Sequence, residues 1–360
     1  MKHLEFIKCC KTGNIAKVKS GLLDKNIDPA ASKNHAIGLA SKYGHLNVVK
    51  ILLQDDRVDP SDGNNYAIVW ASENGYIEIV KILLRDKRVD PSADDNYAIG
   101  LASENGRVEI VEILLQDDRV DPSDGNNYAI RYACNYGHLN VVKILLQDDR
   151  VDPSAADNYA IRQASKNGRV EIVEILLRDK RVDPSADNNY AIREASQKGH
   201  SEVVKVLLQD DRVDPSVDDN YAIRLASENG YIEIVKILLD DDRVDPSDDD
   251  NYAIRYACSY GRVEIVKILL QDDRVDPSAA DNYAIRLASE NGRVEIVEIL
   301  LDDGRVDPSV NGNYAIRSAS KNGHADVVNI LLDDYRVIKK AIELRQYEFI
   351  PQEAKDVFLF

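Results

Sequence analysis

The sequence predicts an all-α solenoid of about eleven helix-turn-helix units with little or no β-sheet, and three observations carry that expectation. Ten Asp-Pro pairs stand 31 residues apart, from Asp28-Pro29 to Asp307-Pro308, and account for ten of the eleven prolines. A glycine recurs with the same period at eleven positions, from Gly13 to Gly323. Between these marks lie two short segments with helical apolar spacing. A fixed period of this length marks an array of one small unit. Such a unit cannot shelter its own apolar surface and does so by stacking on its neighbours. An array presents an extended surface rather than one deep pocket, so binding comes before catalysis among the functions it suits.

The unit that starts at Asp183 reads DPSADNNYAIREASQKGHSEVVKVLLQDDRV. Its first helix is expected roughly over 190–197 and its second roughly over 201–209. Gly199 between them suits a left-handed turn at the end of the first helix. Asn precedes the first helix ten times, from Asn34 to Asn313, and reads as an N-cap. Ala191, Ile192 and Ala195 form a narrow apolar stripe whose small residues let neighbouring helices approach. In the second helix Val203, Val204, Val206, Leu207 and Leu208 cover most of the circumference, so it needs cover on two sides. The run Gln-Asp-Asp-Arg-Val-Asp-Pro-Ser between units reads as a turn or finger.

Composition narrows the function. The 63 acidic residues against 46 basic ones give a net charge of -17. That balance argues against nucleic acid, whose binding needs clustered Lys and Arg, and suits a basic partner. Cys134 and Cys258 hold equivalent slots where other full units carry Ser, which reads as a small buried position. With Cys9 and Cys10 they form no disulfide framework. The start MKHLEFIKCCKTGN carries no signal-peptide apolar run, and no segment is long and apolar enough to span a bilayer. An intracellular, cytoplasmic monomer without membrane attachment is expected.

The stretch YAIRLASENGYIEIVKILL over 221–239 resembles the helix-turn-helix core of an ankyrin repeat, and GHLNVVKILL over 44–53 is more similar still. Two departures stand out. Tyr-Ala-Ile-Arg replaces the family's Thr-Pro-Leu-His, and the 31-residue unit is shorter in the finger than the usual 33. The Tyr-Ala-Ile-Arg variant is similar to ankyrin arrays encoded by large DNA viruses of amoebae and by amoebae. The resemblance spans about 1–337 and implies a fold with ten units over 29–337, an N-terminal capping unit over 1–28 and a C-terminal capping helix and tail over 338–360. A helix is expected from 338 to 348. Ile350-Pro351 with Glu353 also resembles the opening of an F-box-like segment, which would make the chain an adaptor for a ubiquitin ligase.

In the resembled family partners are gripped by finger tips and by the concave face of the first helices. Carried over by position, that surface includes Asp62, Gly63 and Asn64, Asp248, Asp249 and Asp250, and the residues before each Gly such as Lys42 and Tyr43. The slot after Ile-Arg varies most, holding Trp70, Tyr132, Glu194 and Tyr256 among others, so full burial there is not expected. Tyr132 and Tyr136 lie four apart on one helix face, and Tyr256 and Tyr260 repeat them. Those rings either contact a partner or cover the Ala stripe. Arg follows Ile in seven consecutive units from Arg131 to Arg317, after Gly38, Val69 and Gly100. A second Arg ladder runs from Arg57 to Arg336. Both ladders are expected to tie fingers to neighbouring carboxylates or carbonyls.

The search for chemistry finds no catalytic, cofactor or metal residues. His45, His138, His200 and His324 follow the turn Gly and are spread along the array. No metalloprotease, phosphate-loop or nucleophile motif is present, and the Asp-rich fingers lack calcium-loop spacing. The sequence therefore points to a scaffold, not an enzyme, that binds an unidentified protein, a host protein on the viral resemblance. A passive rod or spacer is the alternative from another class.

Overall fold

The computed structural model describes residues 2–346 and residue 348. These fold into 23 helices, with no strand among the described residues, as the period predicts. No helix among them is long and apolar enough to cross a membrane. The chain forms two compact units, Met1–Ala186 and Asp187–Phe360. The first holds α1 (His3–Lys11), α2 (Ile15–Leu23), α3 (Ala31–Lys42), α4 (Leu46–Leu52), α5 (Asp62–Asn74), α6 (Ile77–Leu84), α7 (Ala93–Glu104), α8 (Val108–Leu115), α9 (Asp124–Tyr136), α10 (Leu139–Leu145), α11 (Ala155–Lys166) and α12 (Val170–Leu177). The second follows with α13 (Ala186–Lys198), α14 (Ser201–Leu207), α15 (Val217–Asn229), α16 (Ile232–Leu239), α17 (Asp248–Tyr260), α18 (Val263–Leu269), α19 (Ala279–Glu290), α20 (Val294–Asp302), α21 (Val310–Lys321), α22 (Ala325–Leu332) and α23 (Tyr335–Glu343).

Within each unit, helices of equal rank stack side by side. In the first, α3 packs on α5 and α5 on α7, while α4 packs on α6 and α6 on α8. In the second, α15, α17, α19 and α21 form one row and α16, α18, α20 and α22 the other. The core of one repeat shows why. α9 packs on α10, and Ala129, Ile130 and Ala133 of the one and Val141, Val142 and Leu145 of the other are all buried. Each buried Val, Ile or Leu contributes about 1.5–3 kcal/mol, and no single helix pair could hide this stripe alone. Cys134 and Cys258 are also buried. They fit because the Ser72 and Ser103 hydroxyls that hold the same slot bond to nothing, so sulfur gives up no partner.

The first helices begin earlier than expected, and the cause corrects the N-cap reading. In α3 and every odd-numbered helix through α21, though not in α1, three consecutive residues ahead of the regular helix have positive φ, for example Asp218 at 52°, Asp219 at 54° and Asn220 at 56°. They make one left-handed turn, which costs an ordinary L-residue about 1–2 kcal/mol and costs Gly, Asn and Asp less. Its first two slots are filled by Gly, Asn or Asp everywhere except Ser32, Lys33, Ala156 and Ala280. The third residue is the recurring Asn. It is buried, and its side-chain oxygen accepts the backbone N–H of the Asp that precedes Pro in the next repeat. That bond is 2.8 Å from Asp59 N to Asn34 Oδ1, 2.7 Å from Asp152 to Asn127 and 2.8 Å from Asp245 to Asn220. The Asn therefore clasps two repeats together rather than capping its own helix. The Asp before Pro then turns the chain: Asp59 Oδ1 accepts from Ser61 N at 3.0 Å and Ser61 Oγ at 2.7 Å.

The turn glycine has two reasons to be glycine. Gly106 has φ of 67°, and a Cβ there would lie 2.6 Å from Nδ1 of the His138 ring. His138 in turn sets Nε2 2.8 Å from the Glu104 carbonyl oxygen of the preceding repeat. Arg107 and Arg262 use the same slot to donate Nε, each at 3.0 Å, to the Glu73 and Glu228 carbonyls. The slot after the glycine thus closes the joint on the side opposite the Asn clasp.

The last helix also differs from the sequence expectation of 338–348. It starts at Tyr335 because Asp334 caps it, accepting from Arg336 N at 2.8 Å. It stops at Glu343 because Arg345 turns to φ of 58° and Gln346 N bonds Ala341 O at 2.8 Å. α23 packs on both α21 and α22. Asn313 donates Nδ2 to Val337 O at 3.0 Å, but its buried Oδ1 meets no donor among the described residues. The residue 25 further on is Ile338, whose N–H is already committed inside α23 to Asp334 O. Ile350, Pro351 and Glu353 of the F-box-like segment lie outside the described residues.

Two stability predictions follow from the joints. Asn127→Ala orphans the Asp152 N–H and is expected to cost about 1–3 kcal/mol in urea unfolding, while Asn127→Asp keeps an acceptor and costs less. Gly106→Ala and Gly323→Ala both strain a positive φ, but among the described residues a Cβ at Gly323 meets nothing within 4 Å. Thermal melting is expected to show the larger loss for Gly106→Ala; equal losses would reject the ring contact as a cause.

Candidate protein-binding surface

The first helices expose a layer that alternates Tyr and Arg. Tyr and Arg stand three apart in Tyr-Ala-Ile-Arg, so both lie on one face of the helix. In the second unit the Arg255 guanidinium sits 6.0 Å from the Tyr252 ring centre and 5.4 Å from that of Tyr283, in the next repeat. Arg286 bridges Tyr283 and Tyr314 at 4.7 and 5.1 Å. In the first unit Arg131 spans Tyr132 and Tyr159 at 5.8 and 5.3 Å. Each such contact contributes about 0.5–1 kcal/mol near the surface. This ladder meets a neighbour's carboxylate at Arg193 with Asp218, 2.8 Å, and at Arg224 with Asp249, 2.6 Å. Its arginines also donate to carbonyls of their own repeat, as Arg131 does to Gly125 O at 3.0 Å and Arg317 to Asn311 O at 3.1 Å, so the expected bonds to carboxylates or carbonyls are present and the stacked rings are a further partner that the sequence reading missed. The strict Tyr-x-x-Arg spacing was the available signal.

The second ladder is the tie that the sequence predicts. Arg150 donates Nε and Nη2 to both oxygens of Asp148 at 2.9 and 2.6 Å, and Nη1 to Val120 O of the preceding repeat at 2.8 Å. The carboxylate belongs to its own repeat and only the carbonyl to the neighbour. The guanidinium bonded to Asp148 holds that carboxyl below the usual carboxylate range, and the same cause acts at Asp55, Asp117 and Asp272.

On this scaffold the sequence-selected aromatic residues fall into separate groups. Tyr132 stacks on Tyr128 with centroids 4.2 Å apart and on Tyr136 at 6.4 Å. Tyr256 repeats this between Tyr252 at 3.9 Å and Tyr260 at 6.4 Å. Trp70 stacks on Tyr66 at 5.0 Å with the Lys42 ammonium over its ring. Tyr43 stands apart under Lys11. Trp70, Tyr132 and Tyr256 are half-buried, as are the other residues of that slot, whereas Tyr136 and Tyr260 are each 48% exposed. The basal rings are pinned: Tyr128 and Tyr252 donate their hydroxyls to Glu104 and Glu228. Burial first, and those carboxylates second, push both phenols above their ordinary range.

The selected finger residues divide differently. Asp62 accepts Asn34 Nδ2 at 3.0 Å, Asp248 accepts Asn220 Nδ2, and Asp249 pairs with Arg224, so these three take part in the joints. Asn64 is exposed in the left-handed turn. The variation of these tips is thus bounded by backbone conformation. No group of three His, Cys, Asp or Glu able to hold a metal is present among the described residues. The thiols of Cys134 and Cys258 are raised by burial, which keeps them protonated and unreactive. Stacked rings, guanidinium groups and flanking carboxylates make up this face.

A family profile described as Ankyrin repeats (3 copies) matches residues 6–95, 68–157, 99–188, 130–219, 192–281 and 256–341. The chain belongs to the ankyrin-repeat family. No curated protein matches the sequence.

The Asp–Arg forks make stability depend on acid. A carboxyl lowered in the folded state contributes stability that is fully present above its unfolded value, about 4. That stability is lost as pH falls through the lower folded value. Thermal melts are expected to hold from pH 7 to about 5 and to drop steeply below about 4, and Asp148→Asn is expected to flatten part of that fall.

Proposed function

We propose that this chain is a protein–protein interaction scaffold without catalysis, and that it grips its partner with the first-helix face and the tips of the left-handed turns. The observation that carries this reading is the residue before each turn glycine. In several repeats it is Asn, which bonds back to its own helix: Asn105 Nδ2 donates to Leu101 O at 2.8 Å and Asn229 Nδ2 to Leu225 O at 2.9 Å. At Tyr43, Tyr136 and Tyr260 that bond is given up for a ring that stays largely exposed. Packing does not demand these rings, and Tyr is enriched where interfaces concentrate their energy. Tyr132 and Tyr256 support Tyr136 and Tyr260 from the helix face, Trp70 adds a separate ring on that face, and Asp62, Asn64, Asp248 and Asp249 edge the surface.

The partner sought is a protein with a basic surface, since the chain carries a net charge of -17. The resemblance to arrays of amoebal viruses makes a host cytoplasmic protein the place to look. Residues 1–28 and 338–360 serve this scaffold as its two caps.

Affinity capture followed by direct titration tests the reading. The double variant Tyr136→Ala with Tyr260→Ala is expected to weaken a captured partner by about thirtyfold or more, with melting unchanged. Unchanged binding would remove these rings from the interface and favour a passive rod.

A further inference from the structure

One repeat of the first unit holds an empty seat that its sister repeats fill. In the second unit, Arg224 places its guanidinium 5.9 Å from the Tyr221 ring centre and 4.8 Å from that of Tyr252. Its Nη1 pairs with Asp249 at 2.6 Å. The same positions 124 residues earlier are Tyr97, Gly100 and Tyr128. Both rings remain and, without the arginine, meet edge to face, with centroids 6.4 Å apart and planes at 66°, and Tyr128 Cδ1 lies 2.9 Å from where a Cβ on Gly100 would sit. A cavity of about 210 Å³ opens there, lined by Tyr97, Gly100, Tyr128, Asp94, Asp95 and Asp124 among others.

Charge in this cavity is also unbalanced. Asp218 in the second unit is paired by Arg193 at 2.8 Å. Asp94 is its counterpart, and the arginine that would pair with it is Val69. The nearby Arg131 donates Nη2 to the carbonyl of Gly125, a residue of the cavity wall, at 3.0 Å and lies over Tyr132 and Tyr159. Tyr128 is pinned by its bond to Glu104, so one wall of the seat is preformed. The related cavity at Gly38 differs, because Lys33 and His35 line it and Lys42 already covers Trp70.

We propose that the Gly100 cavity is a guanidinium site that takes an arginine side chain from a basic segment of a protein partner. Arginine fits better than lysine because its planar group stacks on a ring while donating to flanking carboxylates, which is how the chain's own Arg224 uses the equivalent space. The proposal rests on the protein-binding reading but names a different site and can be tested without the partner.

The probe is N-acetyl-arginine amide, titrated into the full chain with isotope-labelled tyrosine rings, beside its citrulline and lysine counterparts. The Tyr97 and Tyr128 signals, assigned through Tyr97→Phe and Tyr128→Phe, are expected to shift saturably with arginine. Neutral citrulline, and lysine, are expected to bind at least about tenfold more weakly. Gly100→Arg, whose Cβ would press on Tyr128 Cδ1 at 2.9 Å and so displace that ring while adding an internal guanidinium, is expected to abolish the response. Tyr128→Leu removes a wall and is expected to abolish the Tyr97 shift even if Gly100→Arg folds poorly. A saturable arginine response that survives Tyr128→Leu, citrulline or lysine binding as tightly as arginine, or no saturable shift at these rings would overturn the site. Such a failure leaves the Tyr136 and Tyr260 test of partner binding untouched.

Discussion

The joint between repeats depends on one hydrogen bond, from the backbone N–H of the Asp before proline to the side-chain oxygen of an Asn in the preceding repeat. Proline has no N–H and holds the residue before it out of helical geometry, so that Asp N–H has no helical acceptor. Left in the interior, it would cost about 1–3 kcal/mol. The Asn reaches it from a left-handed backbone, which explains why a costly turn is built into the repeats from α3 onward. It also explains why Asp, Asn and Gly crowd that turn.

The other side of the joint is made of flat groups. A turn glycine without a Cβ lets a His, Arg or Tyr of the next repeat lie directly on the backbone. Arg forks then bond a carboxylate of their own repeat and a carbonyl of the one before. These contacts join adjacent repeats, so stability accumulates joint by joint, as expected of a one-dimensional array.

Repetition makes departures informative. A position that serves every joint recurs, so a ring or gap that appears only in some repeats marks a local departure. Tyr136 and Tyr260 are rings where sister repeats hold a helix-bonded Asn. Gly100 is a gap where sister repeats hold a stacked Arg. One departure adds exposed aromatic area and the other removes an internal cation, and both leave the surrounding core intact. Recognition can therefore vary along such a chain without a change of fold.

The period, the helix pairs, the buried Ala-Ile and Val-Leu stripes and the left-handed glycine were legible in the sequence, because each follows from local spacing and from backbone conformations that few residues tolerate. The half-buried state of Trp70, Tyr132 and Tyr256 was legible too, from the variety their slot accepts. The roles of Asn34 and its equivalents, the Tyr–Arg stacking and the vacant seat at Gly100 were not. Each joins residues about 25 to 31 positions apart through space. Pattern along the chain names the residues that repeat, but only the packing of one repeat on the next decides which atoms they meet.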